Sequence, residues 1–302
     1  MNDTGLGSWA EGYLDYLVKV CKRNSRSLAD IRCTVKRVTL YMKDKYPTKN
    51  LWDIDFNSFL KWINEERESG RSIKTIAKDL SHIRSFINYM LRNERCERNV
   101  LDGFYLQDDK EVMPDFLELD EVERLISILS VKGFEDRRNR MMIIILYGCG
   151  LRTKELCSLD IKDIDSEHQE LHIRHAKGDL ERQVPVPDAV WTELLAYLSE
   201  RNWKQGPLFR TSTKHRRMSG VVLGKILFDF AIKAGIDKKV TPKTLRHSFA
   251  THLMDRGVDL SIIASLMGHS SPRETGVYLH QLKGKKEKAI QSMNIFNKKG
   301  GI

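Results

Sequence analysis

The stretch TPKTLRHSFATH, residues 241–252, predicts a helix whose first turns are strongly basic. Thr241 is a preferred N-cap residue, and Pro242 suits the first helical position, because the N–H that proline lacks would have no partner there. Lys243 and Arg246 are three residues apart and therefore share one helix face. An arginine fork matches two oxygens of a phosphate, and a helix N-terminus adds amide donors. The stretch predicts a phosphate-binding site or, with equal weight, only a basic helix end.

Two further segments each present a polar side chain just after a glycine. GCGLRTKELCSL, residues 148–159, places Arg152 behind an apolar helix and two glycines. LMGHSSPRETGVYLH, residues 266–280, places His269 after a glycine that we expect to end a helix, and Tyr278 on the short helix that follows. The alternatives are a simple helix cap for the arginine and a place in the core for the tyrosine.

Apolar and polar residues alternate in ELHIRHAKGDLERQVPVP, residues 170–187. Two alternating runs, 170–175 and 182–186, flank a turn that contains a glycine and an aspartate, which predicts a β-hairpin with Lys177 in its turn. Beyond the hairpin the helical pattern returns and continues to residue 295. We therefore expect the second half of the chain to be mainly helical, with a small sheet.

The first hundred residues have apolar side chains at spacings of three and four, which predicts four helices, with Asp55 as the N-cap of the third. Periodicity is lost in the polar segment YLQDDKEVMP, residues 105–114, as is typical of a linker. The predicted organisation is a helical domain over residues 1–105, a linker over 106–114 and a second domain over 115–302.

Composition and charge limit the class of protein. The net charge of +10 favours a nucleic-acid partner, although many basic proteins bind none. Charges interrupt every apolar run before it reaches membrane-spanning length, and the N-terminus lacks a secretory signal, so we expect a cytoplasmic protein without membrane contact. The five cysteines form no CxxC pair, which argues against disulfides and structural zinc. Three basic residues of the first domain are candidates for contact with a DNA backbone: Lys74, Lys78 and Arg84. The alternative is that they belong to solvated helix faces, which is the more common role of charged residues on a helix.

These segments together resemble the catalytic domain of the tyrosine recombinases, the phage-integrase and Xer family, over residues 113–282. GLRTKEL is similar to the first arginine box of the family, LRHSFATHLMDRG to the second, and LMGHSS followed by VYLH to its histidine and tyrosine motifs. The implied fold class is mainly α: a helical, SAM-like core-binding domain, then a mostly helical α/β catalytic domain with a small antiparallel sheet and a C-terminal tail helix. The residues that match the catalytic positions are Arg152, Lys177, Arg246, His269 and Tyr278.

The resemblance implies cleavage of DNA without a metal or another cofactor. Tyr278 would attack the phosphodiester and hold a 3′-phosphotyrosine, while the two arginines bind non-bridging oxygens. Lys177 would protonate the 5′ leaving group, and His269 would hydrogen-bond the phosphate. Glu155 and His247 are assigned supporting roles, Glu155 as the residue that orients neighbouring cations.

One position departs from the family pattern. Most members have a histidine three residues before the second arginine, whereas this chain has Lys243. A lysine can still bind a phosphate oxygen, but it is a poor base in its charged form, so Lys243 is assigned to the catalytic residues as an assisting phosphate ligand. We expect activity to survive. The departure weakens the case for a housekeeping Xer protein and strengthens that for a mobile-element integrase or transposase, and both stay open.

The resemblance also implies partners. The expected substrate is double-stranded DNA with paired core sites, recombined through a Holliday junction by a homo-tetramer, or by a hetero-tetramer with a second recombinase. An amphipathic tail segment, residues 289–295, is expected to pack into a neighbouring protomer or to fold back on its own domain.

Three other functions stay open. A catalytically impaired DNA-binding regulator would keep the basic helices, and a type IB topoisomerase would share the chemistry without strand exchange. A metal-dependent transposase is the third, because His168, His172 and His175 have ligand-like spacing, but the hairpin places the last two on a strand and no acidic cluster accompanies them. We therefore expect no metal, and the sequence contains no GxxxxGKS or GxxxxGKT loop for a nucleotide.

Overall fold

The computed structural model divides into two compact units, residues 1–111 and 112–302. Within them the structure describes residues 7–23, 25–106, 115–129, 132–174, 181–201, 203–212 and 215–268. The predicted linker, 106–114, lies almost wholly outside these ranges. In the part of the chain that is described, no helix is both long and apolar enough to cross a membrane.

The described residues of the first unit form four α-helices, as the sequence predicts. They are α1 (Gly7–Lys19), α2 (Ser25–Lys45), α3 (Phe56–Glu68) and α4 (Ile73–Arg92), with a 3₁₀ helix at Leu51–Asp53 between α2 and α3. Asp55 caps α3, as predicted: its carboxylate accepts the Ser58 backbone N–H at 3.0 Å and the Ser58 hydroxyl at 2.8 Å. The apolar faces of the helices form one core, whose largest fully buried side chains include Tyr13, Met42, Phe59, Trp62 and Phe86.

A buried carboxylate links three helices of the first unit. Asp79 of α4 is 2% exposed and accepts hydrogen bonds from Thr34 at 2.8 Å and Arg37 at 2.5 Å, both on α2. Arg71 lies 2.9 Å from the same carboxylate, and Glu66 of α3 pairs with both arginines. Because a buried charge requires partners of opposite sign, this network fixes how α2, α3 and α4 pack.

The second unit is mainly helical with a small sheet, which confirms the predicted fold class. Its helices are α5 (Leu119–Ser127), α6 (Phe134–Gly148), α7 (Thr153–Ser158), α8 (Asp188–Ser199), α9 (Gly220–Lys233), α10 (Pro242–Asp255) and α11 (Leu260–Met267). A 3₁₀ helix lies at Ile161–Asp163. The strands are β1 (Ile164–Asp165), β2 (Glu170–Ile173) and β3 (Arg182–Pro185).

The three strands form one antiparallel sheet in the order β1, β2, β3. Strands β2 and β3 form the predicted hairpin, in which Leu171 lies opposite Val184 and Ile173 lies opposite Arg182. The hairpin turn, residues 175–180, lies outside the described residues. The sequence does not predict β1, because a strand of two residues is too short to show alternation.

Helix α6 lies at the centre of the second unit. It is buried from Met141 to Leu146, in agreement with a sequence that is apolar nearly all round, and it packs against α5, α8, α9 and α10. Helix α10 is also buried on most sides, and its polar groups are paired inside the unit. Ser248 Oγ accepts the Leu117 N–H at 2.8 Å, and Tyr147 hydrogen-bonds His252 at 2.8 Å. The residues on α10 are therefore held firmly in place.

Candidate active site

Arg152 is the N-cap residue of α7. Its backbone N–H donates to the Glu155 carboxylate at 2.8 Å, so this carboxylate closes the first turn of the helix. The Arg152 guanidinium turns back to the same carboxylate, with Nη1 2.9 Å from Oε1. Glu155 thus holds both the backbone and the side chain of Arg152 at the start of α7.

Glu155 is 2% exposed and is shared by three arginines. Arg182, the first residue of β3, makes a two-pronged contact with it: Nη1 lies 3.0 Å from Oε1, and Nη2 lies 2.9 Å from Oε2. Nη1 of Arg246, on α10, lies 3.9 Å from Oε2, within the range of an ion pair. Arg152, Arg182 and Arg246, called the arginine cluster below, therefore surround one carboxylate.

The arginine cluster keeps Glu155 ionised. Burial alone raises the pKa of a carboxyl group, because it disfavours the charged form. Here the hydrogen bonds from Arg182 and from the Arg152 N–H outweigh burial and lower the pKa of Glu155 to about 2. The three arginines therefore have a charged partner throughout the neutral pH range.

The same arginines bind the C-terminal end of α11. The carbonyls of Leu266, Met267 and Gly268 accept hydrogen bonds, in that order, from Arg182 Nε at 2.9 Å, Arg246 Nη2 at 2.6 Å and Arg152 Nη2 at 2.6 Å. The last carbonyls of a helix have no partner within the helix and carry partial negative charge, so cations are stabilised there. Helix α11 therefore ends against the arginine cluster, with one arginine for each of three successive carbonyls.

Two glycines allow these elements to approach closely. Gly150 has a φ of +60°, and a Cβ there would lie 2.3 Å from the ring of Phe249. Its carbonyl accepts a hydrogen bond from Arg246 Nη1 at 2.8 Å. Gly268 ends α11 with a φ of +62°, as the sequence predicts, and a Cβ there would lie 2.7 Å from Arg182 Nη1. Both positions require glycine, because a side chain would be strained at this positive φ and its Cβ would clash with a neighbouring side chain.

Lys243 and His247 lie on α10 beside Arg246 but differ in exposure. Thr241 caps α10 as predicted, its Oγ1 accepting the backbone N–H three residues later at 3.1 Å, and Pro242 is the first helical residue. Lys243 is exposed in the first turn, whereas Arg246 is 8% exposed and His247 is half-buried. Lys243 therefore belongs to the surface of the unit and Arg246 to the buried cluster.

Three predicted catalytic residues, Lys177, His269 and Tyr278, lie outside the described residues. By sequence, Lys177 belongs to the hairpin turn and His269 directly follows the end of α11. The structure brings together Arg152, Arg246 and Glu155 of the predicted set, while the roles of all these residues stay predictions.

Arg182 is the member of the arginine cluster that the sequence reasoning missed. Residues two apart on a strand face the same side of a sheet, and Arg182 lies two residues before the buried Val184 of β3. A charged residue on the buried face of a strand requires a partner of opposite charge. That requirement is the signal by which Arg182 could have been found.

The three basic residues predicted to contact DNA are held in different ways. Lys74 and Lys78 are exposed on α4, and Lys78 Nζ lies 2.9 Å from Asp30 of α2. Arg84 is half-buried: its Nε donates to a backbone carbonyl of the segment after α4 at 2.9 Å, and its guanidinium lies 4.5 Å from the centre of the Tyr105 ring. Arg84 therefore anchors this segment, and contact of the three residues with DNA stays a prediction.

The histidines considered as metal ligands contact a carboxylate. His168 Nδ1 lies 2.9 Å and His172 Nε2 lies 3.5 Å from Asp165 Oδ2, and His175 is outside the described residues. Over the ranges that the structure describes, no group of three or more His, Cys, Asp or Glu side chains is arranged to hold a metal ion.

Known proteins match both units of the chain. Residues 115–285 match the phage integrase family, and residues 10–94 match the phage integrase N-terminal SAM-like domain. The chain is 34% identical over 240 residues to tyrosine recombinase XerA of Pyrococcus furiosus, covering 78% of this chain and 80% of that protein. It is 34% identical over 273 residues to tyrosine recombinase XerD of Oceanobacillus iheyensis, covering 83% and 86%. Its fold is similar to that of the Tn1549 transposon integrase in complex with circular intermediate DNA, with a TM-score of 0.72, 21% identity and coverage of 88% and 93%. The chain therefore belongs to the phage integrase family and is a tyrosine-type site-specific DNA recombinase.

Proposed function

We propose that this recombinase cleaves and rejoins DNA through a 3′-phosphotyrosine formed by Tyr278. The arginine cluster carries the proposal: Arg152 and Arg246 come from distant parts of the chain and converge on one ionised carboxylate, Glu155. The guanidinium groups lie in a largely buried site, where a low local dielectric strengthens their attraction for an anion. Guanidinium groups match the geometry of phosphate oxygens, so a DNA phosphate is the anion that fits this cluster.

In the proposed reaction, Tyr278 Oη attacks the scissile phosphorus, and the bond from phosphorus to the 5′ oxygen breaks. The phenol loses its proton to water, and Lys177 gives a proton to the departing oxygen, which leaves as a hydroxyl group. His269 hydrogen-bonds a non-bridging oxygen, and the arginines offset the charge that develops on the phosphate. The phosphotyrosine retains a phosphodiester bond, so a 5′ hydroxyl of another strand can reverse the step without ATP.

The supporting residues act on the cations of the site. Glu155 stays ionised at neutral pH and holds both the backbone and the guanidinium of Arg152, so the chain itself positions this arginine. His247 follows Arg246 on α10 and is proposed to support its position. Lys243 is exposed at the start of the same helix, where it would bind a phosphate oxygen in place of the histidine of most family members.

For the complete reaction we propose cytoplasmic strand exchange between paired core sites through a Holliday junction. The assembly would be a homo-tetramer, or a hetero-tetramer with a second recombinase. Lys74, Lys78 and Arg84 would add contacts to the DNA backbone, which fix position rather than sequence. The apolar side of the tail, residues 289–295, would occupy a groove of a neighbouring protomer that is lined by Ile144, Tyr147, Val190, Phe249 and Leu253.

The test is covalent capture of DNA. A duplex site is selected by the protein from a random pool and nicked beside the cleavage position, so that a short fragment diffuses away after cleavage and traps the adduct. In EDTA, a denaturing gel should show an adduct with wild type and with Tyr105→Phe, a tyrosine of the first unit, but none with Tyr278→Phe.

Peptide mapping should place the adduct on Tyr278. An adduct on another tyrosine would contradict the assignment of the nucleophile. Tight binding of the same duplex without any adduct would contradict the proposed reaction and favour a DNA-binding regulator that lacks catalysis.

A further inference from the structure

Arg182 connects three elements of the second unit. It begins β3, shortly after the hairpin turn that carries Lys177. Its fork holds both oxygens of Glu155 on α7, and its Nε donates to the Leu266 carbonyl at the end of α11. The side chain is 12% exposed, and a Cβ on Gly268 would clash with its guanidinium. Three hydrogen bonds and tight packing therefore fix the position of this side chain.

Loss of these contacts would affect the hairpin more than it affects Arg152. Arg152 and Glu155 belong to the same helical turn, and their two mutual hydrogen bonds, 2.8 and 2.9 Å long, do not involve β3. Strand β3 reaches α7 and α11 through the three hydrogen bonds of Arg182. The base of the hairpin is therefore tied to the arginine cluster by this side chain.

We propose that Arg182 is a positioning residue for the leaving-group step: by tying the hairpin base to Glu155, it places Lys177 for proton transfer to the 5′ oxygen. The inference rests on the proposed function, in which Lys177 is the general acid. Proton transfer depends on distance, and a displacement of about 1 Å can cost about 100-fold in rate. Arg182→Lys keeps the positive charge, but a compact ammonium group does not match the planar fork, whose three separate nitrogens contact the two Glu155 oxygens and the Leu266 carbonyl.

The test compares two leaving groups in single-turnover cleavage. In ordinary DNA the bond from phosphorus to the 5′ oxygen breaks, and the departing alkoxide requires a proton. In DNA with sulfur at that bridging position, the bond from phosphorus to sulfur breaks and a thiolate leaves without a proton, because thiols are far stronger acids than alcohols. Sulfur therefore relieves a defect in proton transfer but not a defect in folding, DNA binding or phosphate contact.

At saturating DNA, full-length Arg182→Lys should cleave the oxygen substrate about 10- to 100-fold more slowly than wild type, and the sulfur substrate less than about threefold more slowly. Lys177→Ala should show the same pattern. The double variant should be no slower than Lys177→Ala on the oxygen substrate, because both substitutions remove the same proton transfer.

The outcomes separate this inference from the proposed function. If sulfur relieves Lys177→Ala but Arg182→Lys is equally slow on both substrates, or as fast as wild type on oxygen, the inference is wrong and the role of Lys177 stands. If sulfur relieves neither variant, both the inference and the role of Lys177 as general acid are wrong.

Arg140→Lys is the matched control. Arg140 of α6 holds Glu193 of α8 in a similar fork and donates to the Ile126 carbonyl at 3.1 Å, outside the arginine cluster. Thermal melting measures how far each variant is destabilised, and the ratio of oxygen to sulfur cleavage by Arg140→Lys should match that of wild type. A changed ratio in Arg140→Lys would show that general destabilisation causes the effect and would overturn the inference.

Discussion

Glu155→Gln removes the negative charge at the centre of the arginine cluster and should destabilise the second unit. Glutamine has nearly the shape of glutamate, but an NH₂ group that cannot accept a hydrogen bond replaces one of the two acceptor oxygens. The three arginines around this position then lose their shared counter-charge. Removing an ionised partner from buried arginines is costly, so we expect a large effect from a nearly isosteric change.

The size of the effect follows from the pKa of Glu155. Folding lowers this pKa from 4.5 to about 2. Because each pKa unit corresponds to about 1.4 kcal/mol, the ionised carboxylate contributes about 3 kcal/mol to the free energy of unfolding. Removing one partner of a buried ion pair costs about 3–5 kcal/mol in general, which agrees. For a unit spanning residues 112–302, the corresponding fall in Tm is about 6–12 °C.

Urea denaturation over a range of pH is the assay. Because the pKa of Glu155 is lowered in the folded protein, its contribution is complete above about pH 4.5 and is lost as the pH falls towards 2. The difference in unfolding free energy between wild type and Glu155→Gln should therefore be constant from about pH 6 to pH 8. It should fall below half of that value near about pH 3.

Glu193→Gln provides the control. The Glu193 side chain also pairs with an arginine, but it is 37% exposed, so its removal should cost less than about 1 kcal/mol. The reasoning is refuted if Glu155→Gln costs no more than Glu193→Gln at neutral pH, or if its cost does not change between neutral pH and pH 3.

Two further substitutions test the backbone of the site and a cap in the first unit. Gly150→Ala should cost about 2–4 kcal/mol of unfolding free energy: about 1 kcal/mol from the positive φ and the rest from the clash of the new Cβ with the Phe249 ring. Gly257 also has a positive φ, +83°, but a Cβ there would lie in open space, so Gly257→Ala should cost only about 1 kcal/mol. Equal losses in urea denaturation would show that the ring contact is unimportant. Asp55→Ala should remove about 1 kcal/mol from the first unit at neutral pH. Because hydrogen bonds from Ser58 lower the pKa of Asp55, this cost should shrink in acid as the wild-type carboxylate becomes protonated, and calorimetry that finds it unchanged would contradict the capping role.

Features that depend on neighbouring residues could be predicted from the sequence. The caps at Asp55 and Thr241 and the helix end at Gly268 each involve residues within about four positions, and all three are confirmed. The hairpin is confirmed for the same reason, because alternation on both sides of a turn is a local pattern.

The arginine cluster could not be predicted in this way, because its contacts join distant parts of the chain. The family resemblance indicates Arg152 and Arg246, but it does not show that both bind carbonyls at the end of α11. Nor does helical spacing distinguish Lys243 from Arg246, since tertiary packing exposes one and buries the other. Arg182 is an intermediate case: its strand face could be inferred, but a strand of four residues gives a weak signal.

Because of the arginine cluster, the proposed phosphate site forms in the same folding step in which helix α11 packs. Buried carbonyls at residues 266–268 require donors, and buried arginines require anionic partners. The carbonyls and the arginines can bind each other only after α7, β3, α10 and α11 have all packed. A partly folded second unit therefore cannot present the three arginines in their final orientation. A shift of α11 must therefore break the arginine contacts or move the arginines with it, so the position of α11 and the geometry of the proposed phosphate ligands are coupled.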